Sequence, residues 1–185
     1  MSTDALGQAL LTLARNAIAR RFVLPVQPLA DLSGLPELAQ PGATFVTLMQ
    51  AGQLRGCIGS LEAYRPLSTD VAENAIAAAF HDPRFSPLGA EEYARTDVEV
   101  SLLAPAEAMQ FADEADALAR LRPGIDGVIL TRGQRRATFL PQVWDSLPKP
   151  QQFMAQLKLK AGLPADYWDE RITLARYGVQ KWKTK

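Results

Sequence analysis

Cys57 is the only cysteine among 185 residues and lies in "GQLRGCIGSL", between two glycines and two positions from Arg55. A thiol reacts as thiolate, and a neighbouring cation favours that form. Residues i and i+2 of a strand share a face, so Arg55 is expected beside Cys57. The pair is then a candidate catalytic set: a nucleophilic or redox sulfur with a guanidinium that polarises it or binds an anion. The other reading is a packed thiol, because unpaired cysteine is among the most buried residue types. Gly56 and Gly59 pose a parallel choice, since glycine in a strand marks a bulge or a close approach to the backbone. The approaching group is a ligand in one reading and the alanine-rich segment 71–79 in the other.

His81 is the sole histidine, so it is the one possible partner for a Cys–His dyad; a lone histidine in the last turn of a helix is more often there for the helix dipole. Asp82 and Arg84 flank Pro83 in "HDPRF", either as a turn-stabilising ion pair or with Arg84 free to bind an anion. Glu99 shares a strand face with Asp97 and Ser101, a row that is a solvated sheet face or the source of a general base. One histidine and one cysteine leave only scattered carboxylates, so no metal site is expected. No GxxxxGK[ST] phosphate loop occurs, and no cofactor is expected.

The elements that must hold these groups follow from periodicity. Leu6, Leu10, Leu13, Ala17 and Ile18 form the apolar stripe of a first helix. Four prolines between Leu24 and Gly42 make the next stretch an extended connector. "ATFVTLMQAGQLRGCIG" reads as a hairpin turning at Ala51–Gly52–Gln53, with Leu54, Gly56 and Ile58 on one face and Arg55, Cys57 and Gly59 on the other. "RPLSTDVAENAIAAAFHDPRF" reads as a helix capped by Ser68 or Thr69, with Asp70 and Glu73 near its positive end and Val71, Ala75, Ala78 and Ala79 buried. Pro83 stops it. "DVEVSLLAP" (97–105) is a strand, "EADALARL" a short helix, and "GVILTRGQRRATFL" (127–140) a second hairpin turning near Arg132–Gly133–Gln134. A helix runs from Pro150 to Gly162, and "RITLARYGVQKW" is one last strand. Hairpins interleaved with separate helices predict an α+β fold of mainly antiparallel sheets with flanking helices.

Twenty Lys plus Arg balance twenty Asp plus Glu, so the overall field attracts neither phosphate backbones nor anionic membranes. A lone cysteine excludes an intrachain disulfide and suits a cytoplasmic location. The amino terminus lacks the order of a secretory signal, and no apolar run approaches the roughly 20 residues of a membrane span.

"FVTLMQAGQLRGCIGSL", "HDPRFSPLGAEEY", "VEVSLLAP", "GIDGVIL", and "ATFLPQVW" followed by "FMAQLKLKAGL" resemble, in order, the blocks of the AMMECR domain family. Its LRGCIG signature is intact at Leu54 to Gly59, and the resemblance spans nearly the whole chain, so residues 1–185 are identified as a single AMMECR-type domain. The resemblance implies two subdomains, each with an antiparallel sheet, separated by a cleft toward which the signature side chains point. It shifts Cys57 and Arg55 from core toward a site, with Leu54, Gly56, Ile58, Gly59, Arg84, Glu99 and Thr138 as candidate substrate-binding residues. Asp82, Phe85, Leu140 and Pro141 are implied companions, structural or functional. The family pattern does not require histidine at position 81, which weakens a Cys57–His81 dyad. Prokaryotic members are known as AmmeMemoRadiSam system protein A, so Memo-like and radical S-adenosylmethionine proteins are the implied partners. The family's activity is not established. The expectation is therefore a cleft enzyme, or a component of a protein or RNA modification pathway, that uses Cys57. The alternative is a non-catalytic adaptor holding a peptide or protein partner. Nucleic-acid binding comes third, resting only on Arg132, Arg135, Arg136 and the lysine-rich tail.

Overall fold

A computed structural model of the chain describes residues 3–29 and 34–184. Along it run α1 (Thr3–Arg21), β1 (Thr44–Gln50), β2 (Gln53–Gly59), α2 (Leu67–Phe80), α3 (Ala90–Tyr93), β3 (Asp97–Leu103), β4 (Glu107–Ala108), α4 (Glu114–Arg120), β5 (Gly127–Arg132), β6 (Arg135–Phe139), α5 (Pro150–Lys160), β7 (Thr173–Tyr177) and β8 (Val179–Lys183). The strands make two four-stranded sheets, β2-β1-β3-β8 and β4-β7-β5-β6, whose described pairings are antiparallel. The α+β expectation holds. The chain divides into two compact units, residues 1–103 with 180–185, and residues 104–179. Among the described residues, no helix is long and apolar enough to cross a membrane.

In the first unit, α1 and α2 pack on one face of the sheet. Thr44, Val46 and Leu48 of β1 are buried on that side, while Phe45, Thr47 and Met49 alternate away from it and are half-buried. The alanines of α2 let its backbone come close: a Cβ at Gly56 would overlap the Ala78 carbonyl oxygen. The group that approaches Gly56 is therefore the helix.

Two local expectations are corrected. The helix expected to be capped by Ser68 or Thr69 starts at Leu67 behind Pro66, with no side-chain cap. Asp70 lies in the first turn, as expected, and is fully buried. It accepts hydrogen bonds from Thr44 N and Oγ1 (2.8 and 2.7 Å), Ser60 Oγ (2.6 Å), Arg65 Nε (2.9 Å) and Asn74 Nδ2 (2.9 Å). A buried carboxylate persists only when its lone pairs are so satisfied. Because Thr44 opens β1 and Ser60 follows β2, this network ties both ends of the hairpin to α2. The second correction concerns residues 171–182, expected as one strand. They form β7 in the second sheet and β8 in the first, changing over at Gly178, where an added Cβ would meet nothing. Leu174 and Tyr177 are buried in the second unit, whereas the Trp182 ring lies against Gly7 of α1, so opposite ends of the stretch are claimed by different cores.

The second unit buries Val128, Leu130 and Leu174 against Phe153, Met154 and Leu157 of α5. The Trp144 ring stacks on Phe153 with centroids 3.8 Å apart, and its Nε1 donates to the Asp126 carbonyl at 2.7 Å. This satisfies the polar end of a buried indole.

Candidate functional site around Cys57

The position of Cys57 is decided by one extra residue. Ala51 and Gly52 both have positive φ (48° and 77°), the requirement of a two-residue type I′ hairpin turn, and they set Gln50 opposite Gln53 and Met49 opposite Leu54. That register, continued, would place Cys57 opposite Val46, which is fully buried beneath the helices. Instead the register shifts: Leu48 faces Gly56 and Thr47 faces Cys57, with Arg55 as the inserted residue of a β-bulge. A one-residue slip moves a side chain to the opposite face of a sheet. The bulge thus puts Gly56 under α2 and turns the Cys57 sulfur, half-buried, to the face away from the helices.

There the Thr47 hydroxyl donates to Cys57 Sγ at 3.3 Å. β2 is an edge strand, and the backbone of Cys57 is directed outward from it. Its N–H donates to Asp82 Oδ2 at 2.9 Å, and its carbonyl accepts from Arg84 Nη2 at 3.3 Å. Cys57 and Thr47 are therefore a non-hydrogen-bonded antiparallel pair, the geometry in which facing side chains come closest. The "HDPRF" loop also covers the edge at this point, which blocks strand addition there.

Asp82 is 4% exposed and also accepts from Arg84 N (3.1 Å), Nε (3.0 Å) and Nη2 (2.7 Å). The Arg84 side chain holds the Asp82 carboxyl well below the usual carboxylate range; burial opposes this and the Cys57 N–H assists it. Asp82 in turn raises Arg84 above its ordinary value, and Cys57 acts on that guanidinium in the same direction. The Arg84 side chain is 53% exposed, so a cation held at the Cys57 carbonyl remains open to solvent.

Arg55, expected beside the thiol, is directed elsewhere. Its Nε and Nη2 grip Glu92 Oε1 and Oε2 at 3.0 and 3.1 Å, and its side chain is only 13% exposed. A bulged residue falls outside the i, i+2 alternation on which that expectation rests. The Arg55 hydrogen bonds, reinforced by the Gly89 N–H at 2.8 Å, bring Glu92 down to about 2. Both guanidiniums lie against the Phe85 ring, Arg55 at 5.9 Å and Arg84 at 5.5 Å from its centroid, within cation–π range.

The remaining candidates divide. Glu99 lies opposite Thr47 on β3 and pairs with Lys181, so Cys57, Thr47 and Glu99 form one row across the sheet. Gly59 lies opposite Phe45, whose ring a Cβ at that position would overlap. Ile58 packs against the core, and Leu54 is exposed. His81 is exposed at the C-cap of α2 and makes no hydrogen bond to Cys57 among the described residues. Thr138 belongs to the second unit, where its Oγ1 donates to the Val128 carbonyl and shares a hydrogen bond with the Tyr177 hydroxyl, both at 2.9 Å. Burial pushes that phenol up. Leu140 and Pro141 lead into the 3-10 turn Pro141–Asp145 of the same unit. Arg132 is paired with Asp169 at 2.8 Å, which weakens the basic cluster considered for nucleic acid. Among the described residues, no three His, Cys, Asp or Glu side chains converge as a metal site. Thr47 and Glu92 are the participants that sequence reasoning missed; Thr47 becomes visible only once the bulge is known.

The sequence model of the AMMECR1 family matches residues 11–182. A protein of Methanothermobacter thermautotrophicus is 39% identical over 94% of this chain and 92% of its own length. A protein of Saccharolobus islandicus is 36% identical over 94% of this chain and 79% of its own. Among solved structures, the uncharacterized protein PH0010 from Pyrococcus horikoshii superposes with a TM-score of 0.82 at 31% identity, covering 97% of this chain and 91% of its own.

Proposed function

We propose that this chain, which belongs to the AMMECR1 family, works in a protein or RNA modification pathway in which Cys57 is the reacting group. The observation that carries this reading is the contrast between the peptide of Cys57 and its sulfur. Asp82 and Arg84 hold the Cys57 backbone at its N–H and its carbonyl, while the sulfur sits half-buried against the Thr47 hydroxyl. A fixed backbone that presents a sulfur to a hydroxyl donor, with a half-exposed guanidinium on the carbonyl of the same residue, supports a nucleophilic role for the thiol. Arg84 also has the geometry to receive an acidic group of a substrate. In such a step the sulfur bonds to an electrophilic carbon and the leaving group departs with the electron pair. A cytoplasmic location, and Memo-like and radical S-adenosylmethionine proteins as partners, belong to the same proposal. The test is alkylation by iodoacetamide at neutral pH, followed by intact mass. The native chain is expected to react faster than the urea-unfolded chain, and a sulfur that reacts only after unfolding overturns the reading.

A second reading, a non-catalytic adaptor, is favoured by a specific feature. The Cys57 N–H is already taken by Asp82, and both nearby arginines are compensated by carboxylates. Neither that N–H nor an uncompensated guanidinium of this pair is then left as a preformed oxyanion donor. In this reading Cys57→Ser leaves partner capture intact, whereas Arg84→Glu abolishes it.

A further inference from the structure

The first unit carries a second feature that owes nothing to Cys57. A hollow of about 580 Å³ lies among α1, the segment after α3 and the end of β8, a size within the range of small-molecule sites. Arg15, Arg95 and Lys183 line it, with Asp97 as the one carboxylate among the described lining residues. Arg95 and Lys183 are exposed and make no ion pair among the described residues. Arg15 differs from Arg55, Arg65, Arg84 and Arg132, each of which has a carboxylate partner. Its Nη1 donates to the Thr96 carbonyl at 3.2 Å and its guanidinium lies 5.1 Å from the centroid of the Tyr93 ring, so it is oriented without being neutralised.

The walls are fixed as well. Asn16 holds Gln27 by a reciprocal pair of hydrogen bonds, both 2.8 Å. Thr96 Oγ1 donates to the Glu92 carbonyl at 2.7 Å and accepts from Gln50 Nε2 at 2.9 Å. Thr184 pairs with Val98 through its backbone N–H and its Oγ1. Among the described lining residues three cations stand against one acid, an excess of positive charge that recruits an anion, and an oriented guanidinium suits phosphate oxygens. Thr12 and Gln27 line the remainder with polar groups.

We propose that this hollow binds a small phosphate ester with a hydroxyl-rich body, of the sugar-phosphate class. The phosphate meets Arg15, Arg95 and Lys183, and the hydroxyls meet Thr12 and Gln27. Isothermal titration with ribose 5-phosphate, ribose and inorganic phosphate tests it on the full chain. Ribose 5-phosphate is expected to bind and ribose not to. The Arg95→Ala/Lys183→Ala double variant, altered only at exposed side chains, is expected to weaken binding by about tenfold or more, the scale of lost charge-assisted contacts. Cys57→Ser is expected to leave the affinity unchanged, which separates this site from the thiol. No binding of ribose 5-phosphate, or an affinity indifferent to the double variant, overturns the site. Inorganic phosphate binding as tightly as the ester overturns the assignment of a hydroxyl-rich body.

Discussion

The backbone N–H of Cys57 donates to the buried Oδ2 of Asp82 at 2.9 Å, across 25 positions of sequence. One carboxylate therefore serves the edge strand and the Arg84 side chain together. Asp82→Asn keeps the shape but removes the charge, leaving Arg84 uncompensated and the strand edge less firmly held. A fully buried broken pair costs more, but Arg84 is half in water, so the expected loss in urea unfolding is about 1–3 kcal/mol. Faster hydrogen exchange of the Cys57 amide should accompany it. An unchanged amide would show that the loop does not hold the strand.

The Arg55–Glu92 pair predicts an acid limb. Glu92 is lowered from its ordinary 4.5 to about 2 by the Arg55 guanidinium, so the folded state binds its proton less readily than the unfolded chain. The resulting stabilisation is complete above about pH 4.5 and is lost as pH falls from there toward 2. With Glu92 partly exposed, solvent screening reduces it to about 1 kcal/mol. Glu92→Gln should therefore be less stable than the parent at pH 7 and converge with it near pH 2. Parallel stability curves over that interval would remove the pair from the acid response.

Much of this architecture is legible in the residues, and what is not has physical causes. The alanines at 75, 78 and 79 foretell a helix that packs closely, and the prolines between Leu24 and Gly42 foretell a connector, whose residues 30–33 lie outside the described ones. The hairpin turn is visible in its glycine, and hairpins with separate helices lead to the α+β class. The bulge is not legible, because an inserted residue leaves the alternation of apolar and polar positions looking unbroken. Unbroken alternation makes Arg55 the thiol's neighbour and hides Thr47, its cross-strand partner. The buried network of Asp70 is hidden for a related reason: an acidic residue in a first helical turn has a sufficient local explanation, whereas its partners Thr44 and Ser60 come from the hairpin. Gly178 gave no sign that the strands on either side of it join different sheets.

Gly56→Ala tests whether α2 is what approaches β2. The added methyl group meets the Ala78 carbonyl oxygen, which is backbone and cannot swing aside. A loss of about 2–3 kcal/mol is expected from overpacking. Gly178→Ala, at a position where the methyl group meets nothing, should be nearly neutral. Equal effects at the two positions would contradict the packing.

Ala51 occupies a left-handed conformation, φ 48°, in the turn before β2. Asparagine tolerates that region better, so Ala51→Asn should stabilise the chain by about 0.5–1 kcal/mol in thermal or urea unfolding. Since the turn sets the register, the Cys57 alkylation rate should stay as it was. Destabilisation would mean that the turn is not of type I′.

Arg84, and not Arg55, is the guanidinium that donates to the Cys57 carbonyl, and it is expected to set the reactivity of the sulfur. Comparing iodoacetamide alkylation rates of Arg84→Gln and Arg55→Gln at neutral pH tests it most directly, with folding of each variant verified by circular dichroism. The account predicts a severalfold slower reaction in Arg84→Gln and little change in Arg55→Gln. The reverse order, with Arg55→Gln slow and Arg84→Gln unaffected, would contradict it.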